Sequence, residues 1–192
     1  MDARRKWDKI YTDSSSESPL PCWVLAEFAC LLPAGGTALD VACGRGGNAL
    51  HLAKAGLQTT AIDISSVALD WVKLFARQES IEVETRAESL TAESLGVNQW
   101  DVIVVSNFLQ RDLFSGLEAA LKPDGLLYYE TFVKNKCDLN TGPSNPDFLL
   151  DDNELINVFP ALSVRAFIDL QVTGDQENGL RNRSCLVAQK SI

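Results

Sequence analysis

The chain has 192 residues, 46% of them hydrophobic and 22% charged, with a formal net charge of −9. That is about one domain of chain with enough apolar material for a core, which excludes disordered, collagen-like and low-complexity classes. The negative charge repels phosphate backbones and anionic lipid, so nucleic acid is a disfavoured partner.

In chain order, a short N-terminal element carrying Trp7 and Tyr11 runs into Ser14-Ser15-Ser16-Glu17-Ser18, a stretch of small polar residues that reads as a mobile loop. Helical spacing of Val24, Leu25, Phe28, Leu31 and Leu32 predicts a helix over 22–32, stopped by Pro33 and the Gly35-Gly36 pair. Residues 37–42 (TALDVA) predict a strand ending in a glycine cluster, and 48–55 (NALHLAKA) a helix closed by Gly56. A strand over 58–62, a helix over 65–78 capped by Ser65 or Ser66, and a strand over 81–85 complete a βαβαβ run. The apolar run 100–105 (WDVIVV) reads as a central parallel strand, followed by a helix over 114–121, a KPDG turn and a strand over 126–131. A Gly/Pro/Asn loop, a helix near 151–158 and two apolar runs, 162–170 and 184–189, end the chain as an antiparallel hairpin.

The five cysteines, Cys22, Cys30, Cys43, Cys137 and Cys185, have no CxxC spacing and are odd in number, so no disulfide framework or metal site is expected. The N-terminus is polar and no window of about 18 apolar residues occurs, which gives the expectation of a cytoplasmic protein with no membrane partner. No repeat or linker divides the chain. Alternating β and α elements therefore predict one α/β domain with a doubly wound, mostly parallel sheet, whose ligand site lies beyond the carboxyl ends of the strands.

The segment 38–52 (ALDVACGRGGNALHL) places Gly44, Gly46 and Gly47 where a strand turns into a helix, the position at which backbone approaches a ligand. Gly44, Gly46 and Ala49 satisfy the dinucleotide pattern G-x-G-x-x-[GA], and Asp63 lies 19 residues after Gly44, where a ribose-binding acid belongs. A nicotinamide cofactor is thus one reading. Asp40 at the strand end argues for a cationic ligand instead, because a carboxylate repels a pyrophosphate and attracts a sulfonium or ammonium.

Asp40-x-x-Cys43-Gly44-x-Gly46-Gly47, then Asp63, then LKPDG at 121–125, resemble the successive motifs of class I S-adenosylmethionine-dependent methyltransferases. The resemblance spans nearly the whole chain and implies a seven-stranded Rossmann-like sheet with a C-terminal antiparallel hairpin. It makes residues 1–192 one domain, with a helical or lid segment at 1–36 and a core at 37–192. Within that superfamily ALDVACGRGGNALHLA, FLQRDLF, GPSNPDFLL and LVAQK are most similar to small-molecule enzymes of the tellurite-resistance type. The resemblance implies S-adenosylmethionine as cofactor, S-adenosylhomocysteine as product, and contacts from Asp40, Ala42, Cys43, Gly44, Arg45, Gly46, Asn48, Asp63, Ile64, Ala87, Glu88, Ser106, Asn107 and Phe108. Ala42 stands where many members have glycine.

Methyl transfer from a sulfonium is an in-line displacement, so proximity, alignment and a deprotonated nucleophile are what the protein must supply. The segment VVSNFLQR after the fourth strand and Tyr128 to Phe132 at the end of the fifth should carry them, with the NPDF loop completing the pocket and Trp7 and Tyr11 folding over it as a lid. Asn107, Arg111, Tyr129 and Glu130 are the candidate catalytic residues: Arg111 to pair with an anion, Glu130 as a base if buried. His51, the single histidine, reads as a packing or surface residue. The expected activity is methyl transfer to a small acceptor such as a thiol, a chalcogen oxyanion or a metabolite. A module that binds the cofactor without turnover and an NAD-dependent oxidoreductase are the alternatives.

Overall fold

A computed structural model describes residues 2–14 and 16–191; Ser15, in the expected serine loop, lies outside the described residues. Chain order runs through α1 (Ala3–Thr12), α2 (Trp23–Glu27), β1 (Thr37–Val41), α3 (Gly47–Lys54), β2 (Gln58–Asp63), α4 (Ser66–Gln78) and β3 (Val83–Ala87). It continues through α5 (Ala92–Leu95), β4 (Trp100–Ser106), α6 (Phe114–Ala120), β5 (Leu121–Phe132), α7 (Glu154–Val158), β6 (Leu162–Ile168) and β7 (Arg183–Lys190).

The strands form one seven-stranded sheet in the order β3-β2-β1-β4-β5-β7-β6. Pairing is parallel from β3 through β5, and β7 runs antiparallel to both β5 and β6. This is the doubly wound, mostly parallel sheet expected from the alternation of elements, with the terminal hairpin in place. The order reverses between β1 and β4, so the crevice outside their carboxyl ends is where an open sheet of this kind binds ligands.

Local chemistry sets most boundaries. Ser65 caps α4 by accepting the Ala68 N–H at 3.2 Å, and Thr91 and Ser94 form a reciprocal capping box on α5, an element too short to show in the hydrophobic pattern. β4 and β5 supply Ile103, Val105, Leu127 and Tyr129 to one face of the core and Val102, Val104, Leu126 and Tyr128 to the other, the period-two alternation of a strand buried on both sides.

α7 starts at Glu154 and β6 ends at Ile168, each shorter than expected, and three further boundaries differ for a local reason. The helix expected over 22–32 breaks at Phe28, whose φ and ψ of −104° and 26° leave the α region, and continues as a 3-10 turn over Ala29–Leu31. β3 starts at Val83 instead of residue 81, because the Ile81 N–H is spent on the Ala76 carbonyl at 3.0 Å, in the turn that closes α4. The KPDG turn lies inside β5 as an irregularity, where the pairing with β4 shifts register between Trp100 and Val102.

Candidate functional site

β1 ends at Asp40 and Val41, and the chain must then turn sharply into α3. Ala42 at φ 53°, Gly44 at 53° and Gly46 at 87° make that turn, and the Ala42 value shows a methyl group tolerated where glycine is usual. Asp40 is fully buried and accepts the Ala49 N–H at 3.0 Å and the Asn48 amide at 3.3 Å. Burial pushes its carboxyl up to about 7 against those two hydrogen bonds.

Asp63 at the end of β2 accepts the Gly44 N–H at 2.9 Å on one oxygen and the Ser65 N–H at 2.8 Å on the other. It therefore ties the glycine turn to the start of α4, and each oxygen keeps lone-pair capacity for a ligand. Burial raises its pKa and those two N–H groups pull it back.

A cavity of about 600 Å³ follows the carboxyl edge of the sheet. At one end, outside β1 to β3, its wall is Ala42, Cys43, Gly44, Arg45, Asp63, Ile64, Glu88 and Leu90. At the other, outside β4, β5 and β7, stand Ser106, Asn107, Phe108, Gln110, Glu130 and Arg183. Asn48 lies between, donating to Ser106 Oγ at 2.9 Å and accepting the Cys22 N–H at 2.8 Å.

The N-terminal segment roofs both ends. α1 lies on α4: Arg4 donates to the Ile64 carbonyl, Ser65 Oγ to Asp8 and Trp71 Nε1 to the Tyr11 carbonyl, at 3.1, 2.6 and 3.0 Å. Tyr11, stacked on Trp7, brings its hydroxyl over the glycine turn, where a Cβ on Gly44 would lie 2.9 Å from it. Burial and the nearby Asp63 carboxylate hold that phenol protonated, as a donor. The strap 19–23 crosses the far end. Leu20's carbonyl oxygen sits 2.1 Å from where a Gly47 Cβ would project, so only glycine admits the strap there.

Several expected residues stand elsewhere. Arg111 does not line the cavity: it forms a two-pronged pair with Glu154 at 2.7 and 2.9 Å and donates to the carbonyls of Asp147 and Leu149, pinning the loop before α7. Tyr129 is buried in the core, its hydroxyl 3.0 Å from the Phe108 carbonyl, so it shapes the loop after β4 from beneath. Asp40 and Gly46 are also behind the wall, one holding α3 and the other passing against Val72, and Ala87 is an exposed strand end next to the lining Glu88. Asp40 therefore acts through the loop it holds, without a direct charge on the ligand.

Glu130 lines the cavity and is almost fully buried, with one oxygen accepting the Val24 N–H at 2.8 Å and the other 3.4 Å from Arg183. Burial raises its pKa, opposed by Val24 and Arg183. Arg45 lies 5.5 Å from the ring centres of both Trp71 and Phe75 and donates to the Glu17 carbonyl, which turns its charge away from the cavity. The Cys43 thiol is buried and pushed well above its usual range, the state of an inert packing group. His51 does not line the cavity. Among the described residues, no cluster of three or more metal-ligating side chains occurs and no helix is long and apolar enough to cross a membrane.

Tyr11 belongs to the segment expected as a lid and lines the cavity, whereas sequence reasoning missed the strap and Arg183. The strap carried a signal, two prolines next to an otherwise polar segment. Arg183 carried none, since β7 reads as a plain core strand.

The site can be tested against the sulfonium cofactor that the motifs imply. Asp63 and Glu88 give the β1–β3 end two carboxylates, suited to ribose hydroxyls and an adenine amino group, with Ile64 and Leu90 as apolar flanks. A pyrophosphate fits poorly, because the Leu20 carbonyl oxygen lies over the start of α3, where its oxygens would need bare N–H groups.

The profile of a methyltransferase domain family matches residues 38–125, the segment from β1 into β5. A ubiquinone biosynthesis O-methyltransferase of Bordetella avium is 29% identical over 143 residues, which are 69% of this chain and 58% of that protein. The chain thus spans a little over half the length of that curated relative. The solved geranyl diphosphate C-methyltransferase of Streptomyces coelicolor superposes with a TM-score of 0.69 at 15% identity, covering 99% of this chain and 98% of its own. TehB from Haemophilus influenzae gives a TM-score of 0.69 at 16% identity over 96% of this chain and 67% of its own. At these identities the structural likeness is one of fold.

Proposed function

We propose that this chain is an S-adenosylmethionine-dependent methyltransferase acting on a small-molecule acceptor. The observation that carries the reading is the coincidence of the matched segment 38–125 with the acid-lined end of the cavity: Asp63 and Glu88 both lie in it and both face the ligand space.

When bound, the cofactor supplies an activated methyl group on a sulfonium. Asp63 takes the ribose hydroxyls, Glu88 the adenine amino group, and Ile64 and Leu90 the two sides of the base, while Cys43 and Gly44 border the amino-acid portion. Ser106, Asn107 and Phe108 mark the boundary between the cofactor and acceptor ends. Asn107 holds φ 54° and anchors its N–H on the Glu130 carbonyl at 2.9 Å, so its side chain is presented to the acceptor end on a fixed backbone. α1 and the strap keep water out of both ends. Arg111, Tyr129 and Glu130 act as positioning residues, through the α7 loop, the β4 loop and α2 respectively.

The likeness to tellurite-resistance-type enzymes rests on the motifs at 38–53, 108–114, 142–150 and 186–190, and it keeps a chalcogen oxyanion among the candidate acceptors beside thiols and organic metabolites. Calorimetric titration with S-adenosylmethionine, S-adenosylhomocysteine and NAD tests the cofactor. Micromolar binding of the first two without NAD is the expected result, and binding of NAD alone overturns the reading.

A further inference from the structure

The cations lining the cavity, among the described residues, are Arg45 and Arg183. Arg45 shares with Arg183 a buried Nε without a partner, but its guanidinium lies against two aromatic rings and donates to a backbone carbonyl at the cofactor end. Arg183 opens β7 directly opposite Phe132 in the antiparallel register, and it stands at the acceptor end.

Its guanidinium is held but not satisfied. The Phe132 ring lies 4.7 Å from the guanidinium carbon, fixing its plane by a cation–π contact. One N–H group reaches Glu130 at 3.4 Å, long for a charge-assisted pair. Its Nε is buried without any partner. A guanidinium offers five donors in a planar fork, and this side chain is 31% exposed on the cavity wall, so its terminal N–H groups can take an acceptor there. Glu130 cannot fill it, because its second oxygen is fixed 2.8 Å from the Val24 N–H.

The surroundings narrow the ligand. The strap that roofs this end offers Pro19, Pro21 and Trp23 to the cavity, and Phe108 faces it from the β4 loop. One planar cation against apolar and aromatic walls is the arrangement that orients a small molecule with an apolar body and a single anionic group. We infer that Arg183 is the specificity-determining residue of the acceptor site and that the acceptor is a small organic acid with an apolar or aromatic body, its carboxylate on the Arg183 fork and its nucleophilic atom toward Asn107. This rests on the methyltransferase reading and names the substrate class of that site. An acid bound this way pairs with the terminal N–H groups of the guanidinium, so charge and geometry favour it over the corresponding amide.

The test is calorimetric titration of the protein loaded with S-adenosylhomocysteine, using benzoate, 4-hydroxybenzoate and phenylacetate, each against its primary amide, with sulfate as an inorganic oxyanion. At least one acid should bind roughly tenfold or more tightly than its amide and than sulfate. Arg183→Gln should erase that preference and Arg183→Lys retain part of it, both with unchanged affinity for S-adenosylhomocysteine, which also reports that they fold. The inference is overturned if no acid outbinds its amide, if sulfate binds as well as the best acid, or if the preference survives in Arg183→Gln. Failure of the wild-type protein to bind S-adenosylhomocysteine breaks the cofactor reading itself, a separate and earlier step of the same titration.

Discussion

The two ends of the cavity are built in different ways. The cofactor end is made by residues close in sequence: Asp63 reaches back 19 residues to the Gly44 N–H, and Asp40 reaches forward nine to Ala49. The acceptor end is made by distant ones: Glu130 holds Val24 across 106 residues and meets Arg183 across 53. A local site can be specified by a motif, because one loop geometry fixes every contact. A distant one depends on sheet order, which places β7 beside β5 and brings the strap over both.

The sharpest way to break this comparison is at Asp63. Asp63→Ala orphans two buried backbone donors and removes the carboxylate facing the ligand, so it should cost about 3 kcal/mol of stability and weaken S-adenosylhomocysteine binding roughly tenfold or more. Denaturant unfolding and calorimetry measure the two effects. Unchanged affinity would remove Asp63 from the site and leave it a purely structural tie.

Gly47→Ala probes the strap that runs from the glycine turn to the acceptor end. Its Cβ would collide with the backbone carbonyl of Leu20, so the strap must lift while the Asp63 bonds stay intact. Limited proteolysis within 14–22 should accelerate several-fold, with binding of S-adenosylhomocysteine reduced only about threefold. An equal loss in both would show that the strap serves the cofactor as much as the acceptor.

A pH experiment isolates Asp40. Its folded-state pKa, near 7, lies above the ordinary 3.8, so the native state binds the proton more tightly than the unfolded chain. The stabilisation is present at low pH and is lost as pH rises from about 4 through about 7. Asp40→Asn cannot titrate, so wild type should lose stability relative to the variant over that window in urea unfolding, and a constant difference would mean Asp40 stays ionised.

The smallest effects are expected where the structure moved two residues out of the cavity wall. Arg111→Ala loses a half-exposed ion pair and two carbonyl contacts, and Tyr129→Phe loses one buried hydrogen bond; each should cost about 1 kcal/mol, with turnover on any acceptor that is found changed far less than stability. A collapse of turnover with stability intact would return either residue to the chemistry.

These two residues show where sequence reasoning stopped. Arg111 follows the loop after β4 and Tyr129 ends a strand that points at the site, so both had plausible positions by motif. Which way each side chain turns was set by partners no local pattern reveals: Glu154, 43 residues on, and the carbonyl of Phe108. Glu88 was reached through the family resemblance, at the residue after β3, and it lines the cavity; Arg183 was missed because nothing in RSCLVAQK marks its first residue as the one that meets the cavity.

The sequence by itself determined the alternation of strands and helices, the glycine turn after β1 and the acid at the end of β2. Each depends on interactions within a few residues or on a periodicity of two or 3.6, which the order of residues states directly. Only the tertiary structure decided that the strap roofs the cavity, that Arg45 lies against aromatic rings, and that Arg183 stands beside Glu130 on the cavity wall. Those facts depend on which surfaces meet when the sheet closes. Packing of surfaces that are remote in sequence is set by the burial of the whole core, and no single stretch of chain encodes it.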